Sequence, residues 1–576
     1  MAELLWREWG KEAFAEARTL DRPILLDIGA VWCHWCHVMD HGIPGDPIHS
    51  GTYSNPEVVA AINRDYIPIK VDNDRRPDIN ARYNMGGWPT TAFLTPSGDP
   101  IYGATYLTPD QMLGLLENIA EYYKINRVEI TEKLREMSER RDSTSRVKGE
   151  LTQEIPAYVG KEIKRSFDRA FGGFGTQPKF PHPEALNFCL EQYADAADEE
   201  LRVVAVKTIL EMASGGMYDQ FAGGFFRYST TRDWSIPHYE KMLEDNSRLL
   251  KTCLLAYSVF KDEQFKDIAL DVKRFLLEVM FDPSAGTFAG SQDADLEDAY
   301  YGRPLAEREL MTTPFIDWTV YLDWNALVVS GFAELYKQLG DNAALDIAIR
   351  LYDFLTVRVA PSHFFANDVR NGPINQLSDV VALSSAAIDL YESTGLARYL
   401  SEARGLADIA LSDLYSNDSA LFRDTPVDPA ALGSLTAHKY EQEDNALAAL
   451  LLLRLSSHTG STKYKTAAEA VLSSLAGVYR EQSYFASTAA RAVSAYLSPQ
   501  KQIVLVGSLT SPEMKELKSA AYRSFALNKI VVLKDGMDSF EYLPDPEGRP
   551  VAYVCVGTTC SRPVTTTAEL LELIAL

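Results

Sequence analysis

The chain lacks several features that would place it in a common class of protein. No apolar run reaches about 18 residues, so no segment is expected to span a membrane. Positive charge is scarce, with 56 Lys and Arg against 80 Asp and Glu, a formal net charge of −24. Such a protein repels a phosphate backbone, and nucleic acid is not an expected partner. The amino terminus has no basic segment followed by an apolar one, which predicts a cytoplasmic protein.

Cysteine is also rare, at 6 of 576 residues, which excludes a disulfide scaffold. What is present is an ordinary globular composition, 46% hydrophobic and 24% charged, in a chain too long for one core. We therefore expect a multidomain protein. Changes of pattern divide it into an α/β domain over 1–130, a charged linker over 131–154, a helical domain over 155–498 and a small α/β domain over 499–576.

The helical segment contains an internal repeat. Glu244-Asp245-Asn246 and Glu443-Asp444-Asn445 each open a helix with acidic residues, which suit the positive end of the helix dipole. Asp323-Trp324-Asn325 and Ser378-Asp379 open two further helices in a similar way. Each of these helices ends in a short turn that leads into a second, amphipathic helix. Successive hairpins of this kind predict a closed helical toroid.

The most specific local motif is Cys33-His34-Trp35-Cys36-His37, which follows an apolar strand and opens a helix. A cysteine at the amino end of a helix is favoured as a thiolate, and the second cysteine can resolve a mixed disulfide. Two other interpretations stay open. Cys-x-x-Cys-His also permits covalent haem attachment, and Cys33, Cys36, His37 and His41 could form a zinc site. Thiol–disulfide chemistry, without cofactor or metal, is the favoured interpretation.

The residues from Pro23 to Cys33 resemble the central strand of the thioredoxin superfamily as it runs into the active site. The resemblance implies a buried carboxylate at Asp27 that helps to deprotonate the second cysteine. His37, next to Cys36, is a candidate for further redox support, because its ring can add positive charge or shuttle protons. Gly86-Gly87-Trp88-Pro89 resembles the family's proline loop, which implies a cis Trp88–Pro89 bond that borders the substrate beside the dithiol. The partner implied for this domain is a protein dithiol or disulfide.

A closer resemblance covers nearly the whole chain, and it is carried by Arg75-Arg76-Pro77-Asp78-Ile79, by 223–229 and above all by the run 234–243. These segments resemble the family of spermatogenesis-associated protein 20 and its bacterial relatives. The resemblance implies a thioredoxin-like head, then an (α/α)6 barrel similar to N-acylglucosamine 2-epimerases, with a small sugar-like ligand. The chain departs from the family by an insertion over 42–54 and a shortening between 80 and 86, both close to the dithiol.

The candidate site of the barrel is a dense polar and aromatic cluster between residues 217 and 246. Aromatic faces stack on sugar rings, while carboxylates and arginine bind hydroxyl groups. His238 and Glu240 are candidates for proton abstraction and return. Sugar epimerases of the resembled kind use two histidines, and the repeat places His438 at the register of His238. Helix capping is the alternative role. The candidate ligand-binding residues are Tyr218, Asp219, Arg227, Trp234, Asp245, Asp293, Asp295, Trp324, Tyr440 and Glu441.

Two functional hypotheses result. In the first, the protein is an enzyme with a sugar epimerase- or isomerase-like barrel beside a redox head. In the second, the barrel only binds a glycan or a client protein, and the dithiol alone reacts. Cys555 and Cys560 add a second spaced pair near the carboxyl terminus, for which redox, metal-binding and unreactive roles stay open.

Overall fold

The computed structural model describes residues 3–43, 45–141, 148–294, 299–535, 542, 545, 547–557 and 559–575 of the chain. Asp295, one of the candidate residues, lies outside them. Within these ranges, no helix is both long and apolar enough to cross a membrane. A thioredoxin-like head, an (α/α)6 barrel and a small α/β tail follow one another, which confirms the predicted fold class.

The head is a four-stranded sheet with helices on both faces. Its elements are α1 (Lys11–Leu20), β1 (Ile24–Gly29), α2 (His34–His41), α3 (Pro56–Asp65), β2 (Ile67–Asp72), α4 (Pro77–Tyr83), β3 (Thr90–Leu94), β4 (Pro100–Ala104) and α5 (Pro109–Arg141). The strand order is β2-β1-β3-β4, with β1 and β2 parallel and the other neighbours antiparallel. The apolar β1 is buried along its whole length, because α1 and α4 cover one face of the sheet and α2, α3 and α5 the other.

Helix α5 continues past the predicted domain boundary, through residues 131–141 that the sequence assigned to a charged linker. Lys, Glu and Arg are strong helix formers, and opposite charges four residues apart stabilise the turn that they share. Glu129 and Lys133 form such a pair, with 2.5 Å between carboxylate and ammonium. A charged segment without an apolar stripe therefore extends the helix here.

The barrel is a ring of six helical hairpins. Its inner helices are α7 (Pro183–Ala196), α9 (Leu243–Phe260), α11 (Leu322–Leu339), α13 (Leu377–Thr394), α15 (Gln442–Thr459) and α17 (Ser487–Leu497). The outer helices are α6 (Glu154–Ser166), α8 (Glu199–Ser214), α10 (Glu263–Phe275), α12 (Asn342–Phe354), α14 (Ala397–Ile409) and α16 (Thr462–Ala476). Each inner helix packs against its two inner neighbours, and α17 returns to α7, so the ring is closed.

The repeat in the sequence has a structural cause at the fourth residue of three inner helices. Asn325 accepts a hydrogen bond from the Phe288 N–H at 3.0 Å and donates to the carbonyls of Phe288 and Tyr321. The same three bonds join Asn246 to Phe225 and Met242, and Asn445 to Phe422 and Glu441. Since each buried amide satisfies three backbone groups, it fastens the preceding loop to the start of its helix.

The tail repeats the strand arrangement of the head. Its elements are β5 (Lys501–Val506), α18 (Pro512–Arg523), β6 (Lys529–Lys534), β7 (Val551–Val556), β8 (Thr559–Cys560) and α19 (Thr567–Ala575). The order β6-β5-β7-β8 has one parallel pair, β5 with β6, and two antiparallel pairs. Cys555 and Cys560 lie opposite each other on β7 and β8 and form a disulfide. The tail packs on the carboxyl ends of the inner helices, where Tyr522 donates to the Glu392 carbonyl at 2.6 Å.

Candidate functional site

Cys33 and Cys36 lie where β1 leads into α2. Cys33 is the N-cap residue of α2, and its sulfur accepts a hydrogen bond from the Cys36 N–H at 3.2 Å. The two cysteines form a disulfide in this structure. The Trp88–Pro89 bond, just before β3, is cis. Once the disulfide is reduced, the sulfur of Cys33 lies at the positive end of the helix dipole, which stabilises a thiolate.

Asp27 is a buried carboxyl on β1. It accepts a hydrogen bond from the Tyr53 hydroxyl at 3.2 Å and lies 3.5 Å from the Lys70 ammonium. Burial raises the pKa of Asp27 to about 6, although the charge of Lys70 opposes the shift. A carboxyl with this pKa can take up and release a proton near neutral pH, as the thioredoxin resemblance implies.

The face of the head that carries the dithiol is docked on the barrel mouth, the loops that precede the inner helices. Arg227 of the barrel lies over two tryptophans of the head. Its guanidinium carbon is 4.2 Å from the centre of the Trp32 ring and 5.2 Å from that of Trp88. Cys33 and Cys36 are only 4% and 8% exposed, and they belong to the same apolar cluster as the barrel core. The dithiol therefore faces the barrel rather than solvent.

The histidines of α2 meet polar residues of the barrel mouth. His37 Nε2 lies 3.2 Å from the Asp293 carboxylate, and this hydrogen bond raises the pKa of His37. The ring of His34 lies 6.4 Å from that of His238, centre to centre. His238 Nδ1 is 2.6 Å from the buried carboxylate of Glu240. Because Glu240 engages Nδ1, Nε2 is the nitrogen of His238 that can exchange a proton with a ligand.

His363, which the sequence analysis missed, joins the barrel to the loop of the head between β2 and α4. Its Nδ1 lies 2.9 and 3.0 Å from the two Asp379 oxygens, and its Nε2 lies 2.9 Å from the Asp74 carbonyl of the head. The Asp74 carboxylate accepts a hydrogen bond from the Trp32 indole at 2.5 Å. Burial disfavours a charge on the ring, but Asp379 outweighs burial and raises the pKa of His363 to about 10. His363 is thus a buried cation at the interface.

Asp323 completes a group around this histidine. One ligand atom from each of Asp323, His363 and Asp379 lies within 4.8 Å of the others, a set that could hold a metal ion. Both ring nitrogens of His363 already face hydrogen-bond acceptors, so we interpret the group as an ion pair with a neighbouring carboxyl. Alignment of the helix openings would have singled out Asp323 and Asp379, whereas no pattern in the sequence marked His363.

Three predicted ligand-binding residues lie on the segment between α8 and α9, and their side chains are buried. Asp219 is 2% exposed, and its carboxylate is held by a buried lysine and a buried arginine. Trp234 is fully buried and donates its indole N–H to a backbone carbonyl at 2.8 Å. Tyr218 donates to the Asp271 carboxylate at 2.5 Å. Their polar groups are satisfied within the protein, as is usual for buried groups, and a ligand-binding role for these three residues stays a prediction.

The other predicted residues of the barrel lie near its mouth. Asp245 and Trp324 are in the first turns of α9 and α11. His438, Tyr440 and Glu441 lie on the loop before α15, and His438 is exposed. This loop borders the head, since Lys439 donates to the Ala81 carbonyl. The pairing of His438 with His238 stays a prediction.

The inner helices enclose a cavity of about 390 Å³. Residues 525–530 of the tail line one end, and the first turns of the inner helices line the other, beneath the head. The lining is rich in charge and suits a small polar ligand with hydroxyl groups. Its charged residues are Glu184, Glu191, Glu244, Arg248, Lys251, Asp323, Asp444, Arg454, Arg491 and Lys529.

Two carboxyls of this cavity hold their protons near neutral pH. Burial is the main cause for both, and it raises the pKa of Asp323 and that of Asp444 to about 7. Neighbouring carboxylates add to the shift, Asp379 for Asp323 and Glu441 for Asp444. Near pH 7 these groups can therefore act as acid or base towards a bound ligand.

We expect Asp444→Asn to stabilise the protein at pH 8 and to have no effect near pH 4. Between the ordinary pKa and about 7, the folded state binds more protons than the unfolded state, so rising pH lowers the stability of the wild type. Asparagine removes this loss, a gain on the order of a few kcal/mol at pH 8, since each pKa unit of the shift corresponds to about 1.4 kcal/mol. Thermal unfolding at both pH values measures it, with the exposed Glu572→Gln as control. A variant less stable than wild type at pH 8 would mean that a cation compensates Asp444.

The chain is similar to several known proteins. Residues 2–141 match the family model described as "Protein of unknown function, DUF255". Human spermatogenesis-associated protein 20 is 25% identical over 731 aligned residues, which cover 99% of this chain and 89% of the relative. Cellobiose 2-epimerase of Bacteroides fragilis is 27% identical over 174 residues, 30% of this chain and 38% of the enzyme. The structure of cellobiose 2-epimerase from Spirochaeta thermophila aligns with 56% of this chain and 82% of its own, at 16% identity and a TM-score of 0.45. The match to human spermatogenesis-associated protein 20 over nearly the whole chain confirms the predicted resemblance.

Proposed function

We propose that the head and the barrel act as one enzyme, in which Cys33 and Cys36 carry out thiol–disulfide exchange on a ligand held at the barrel mouth. The observation that carries this proposal is the docking of the dithiol face: Arg227 covers Trp32 and Trp88, and Cys33 is 4% exposed. The acidic and basic lining of the cavity supports a small, sugar-like ligand for the barrel.

The exchange proceeds in two steps with the reduced protein. The Cys33 thiolate attacks one sulfur of a disulfide R–S–S–R, a bond forms between Cys33 and that sulfur, and one R–S⁻ leaves and takes up a proton. The Cys36 thiolate then attacks the Cys33 sulfur and releases the second thiol. Two electrons pass to the substrate, and the head is left as the Cys33–Cys36 disulfide. An external dithiol reductant restores it.

Cys36→Ser tests the proposal, because it leaves the first step intact and removes the second. The full-length variant is reduced, freed of reductant and mixed with bis(2-hydroxyethyl) disulfide. We expect a mixed disulfide on Cys33, detected by intact-mass and peptide mass spectrometry. Wild-type protein should instead release both thiols and show no adduct. Absence of the adduct in the variant, with the other cysteines also unmodified, would reject the proposed exchange.

A second candidate function is favoured by the contact between His238 and Glu240. A buried carboxylate that holds one ring nitrogen leaves the other as a base, the arrangement needed for proton abstraction beside a sugar carbonyl. The test is incubation with cellobiose, mannose or N-acetylglucosamine in D₂O. Epimerisation would incorporate solvent deuterium at C2, seen by NMR, and would disappear in His238→Ala. If no sugar gains deuterium and none shifts the melting temperature, the barrel is not an isomerase of these sugars.

A further inference from the structure

We infer that the dithiol acts on low-molecular-weight disulfides and not on protein disulfides. The inference rests on the proposed thiol–disulfide exchange and names the substrate class of the same site. Three observations support it. The barrel covers the side of the head beside Pro89 where a substrate backbone would bind, several contacts hold the head on the barrel, and the negatively charged protein repels anions.

The edge that the resemblance assigns to a substrate backbone is occupied by the barrel. A protein substrate needs room for an extended strand beside Pro89, and neighbouring strands lie about 4.8 Å apart. In this protein, the guanidinium of Arg227 lies over Trp88, the residue before Pro89, and over Trp32, the residue before Cys33. A folded protein or an extended loop therefore has no approach to Cys33 while the head is docked.

Buried ion pairs and hydrogen bonds hold the head on the barrel. Arg82 of α4 pairs with Asp424 of the barrel at 2.5 and 3.1 Å, and their side chains are only 6% and 10% exposed. His363 binds the Asp74 carbonyl, as described above, and Arg75 donates to the Thr319 hydroxyl at 3.1 Å. Undocking would break these contacts together and would expose to water the apolar cluster that Trp32, Cys33 and Cys36 share with the barrel core, which is unfavourable. Only a molecule small enough to enter the mouth can then reach the sulfur.

The net charge of the protein further limits which small disulfides are expected as substrates. The protein carries a formal charge of −24. At the mouth, the Asp293 and Glu240 carboxylates are paired with His37 and His238, and Arg227 lies over Trp32, so this expectation rests on the net charge of the whole protein. A field of this sign slows the approach of anions. The expected substrates are therefore neutral or cationic small disulfides, which are reduced by the two-step exchange given above.

Single-turnover oxidation of the reduced, full-length protein tests the inference. Four oxidants are used: insulin, cystamine, bis(2-hydroxyethyl) disulfide and the anionic 3,3′-dithiodipropionate. The reaction is quenched by thiol alkylation and followed by mass spectrometry, and each rate is divided by that of dithiothreitol with the same oxidant. We expect the normalised rates for cystamine and bis(2-hydroxyethyl) disulfide to exceed that for insulin on the order of tenfold or more. Dithiodipropionate should be the slowest of the small disulfides, and its deficit should shrink at high salt.

The Arg82→Ala variant distinguishes two explanations for a slow reaction with insulin: the docked barrel blocks access to Cys33, or the dithiol itself reacts poorly with protein disulfides. The variant loosens the head, so the rate with insulin should rise several-fold while that with bis(2-hydroxyethyl) disulfide changes little. The exposed Arg350→Ala, on the outer helix α12, is the matched control and should alter neither rate.

The possible outcomes are distinct. Equal normalised rates for insulin and the small disulfides in wild-type protein would overturn the inference and leave the proposed exchange standing. If no oxidant reacts and Cys36→Ser forms no adduct, the proposed function itself fails. A rate with insulin that is low and unchanged in Arg82→Ala would show that docking is not the reason for the selectivity, and would also overturn the inference.

Discussion

Replacement of Cys33 by serine will reduce thiol–disulfide exchange to the rate of the uncatalysed reaction, a loss on the order of a thousandfold or more. Cys33 is the N-cap residue of α2, and its sulfur already accepts the Cys36 N–H bond. Both the cap and the helix dipole favour a thiolate at this position over one at Cys36, which lies inside the helix. A serine hydroxyl keeps the cap but is no nucleophile near neutral pH.

The measurement is the single-turnover release of thiol from bis(2-hydroxyethyl) disulfide, for wild type and variant at equal concentration. Cys189→Ser is the matched control, since Cys189 is a buried free cysteine on α7 whose pKa burial raises far above neutral. This control should react like wild type. Substantial exchange in Cys33→Ser would mean that another sulfur, such as those of Cys555 and Cys560, carries the chemistry.

Replacement of Lys241 by methionine will destabilise the barrel by about 3–5 kcal/mol, as expected when one partner of a buried ion pair is removed. The Lys241 and Asp219 side chains are fully buried, and their charged atoms are 2.7 Å apart. Arg308 also binds the Asp219 carboxylate, at 2.7 and 2.9 Å. Burial opposes the charge, but Arg308 and Lys241 together hold the pKa of Asp219 far below its ordinary value.

Methionine fills the space of the lysine side chain but leaves the Asp219 carboxylate with Arg308 as its one cationic partner in place of two. Chemical unfolding followed by circular dichroism measures the change in the barrel transition. Lys463→Met is the matched control, because its pair with Asp408 is largely exposed and should be worth less than about 1 kcal/mol. If Lys241→Met is no more costly than Lys463→Met, the cluster is not structural, and Asp219 would be reconsidered as a ligand-binding residue.

A ligand-binding role for Asp219 stays a prediction, and this residue shows what the sequence alone leaves open. A cluster of aromatic, acidic and basic residues gives the same sequence pattern whether its side chains contact a ligand or contact one another. Trp234 and Asp219 were predicted to bind a ligand because of their residue types, yet both are buried, and their polar groups bind other parts of the barrel. Only burial and pairing distinguish the two cases.

By itself, the sequence determined what depends on local pattern. The apolar β1, the helix that begins after Cys33 and the repeated hairpins of the barrel follow from hydrophobic periodicity and capping residues close together in the chain. The tertiary structure alone decided how the head is placed on the barrel, and hence what surrounds the dithiol. Arg227 with Trp32, His363 with Asp74, and Arg82 with Asp424 join residues about 200 to 340 positions apart. Contacts at such separations depend on the packing of whole domains, which leaves no periodic mark on the chain.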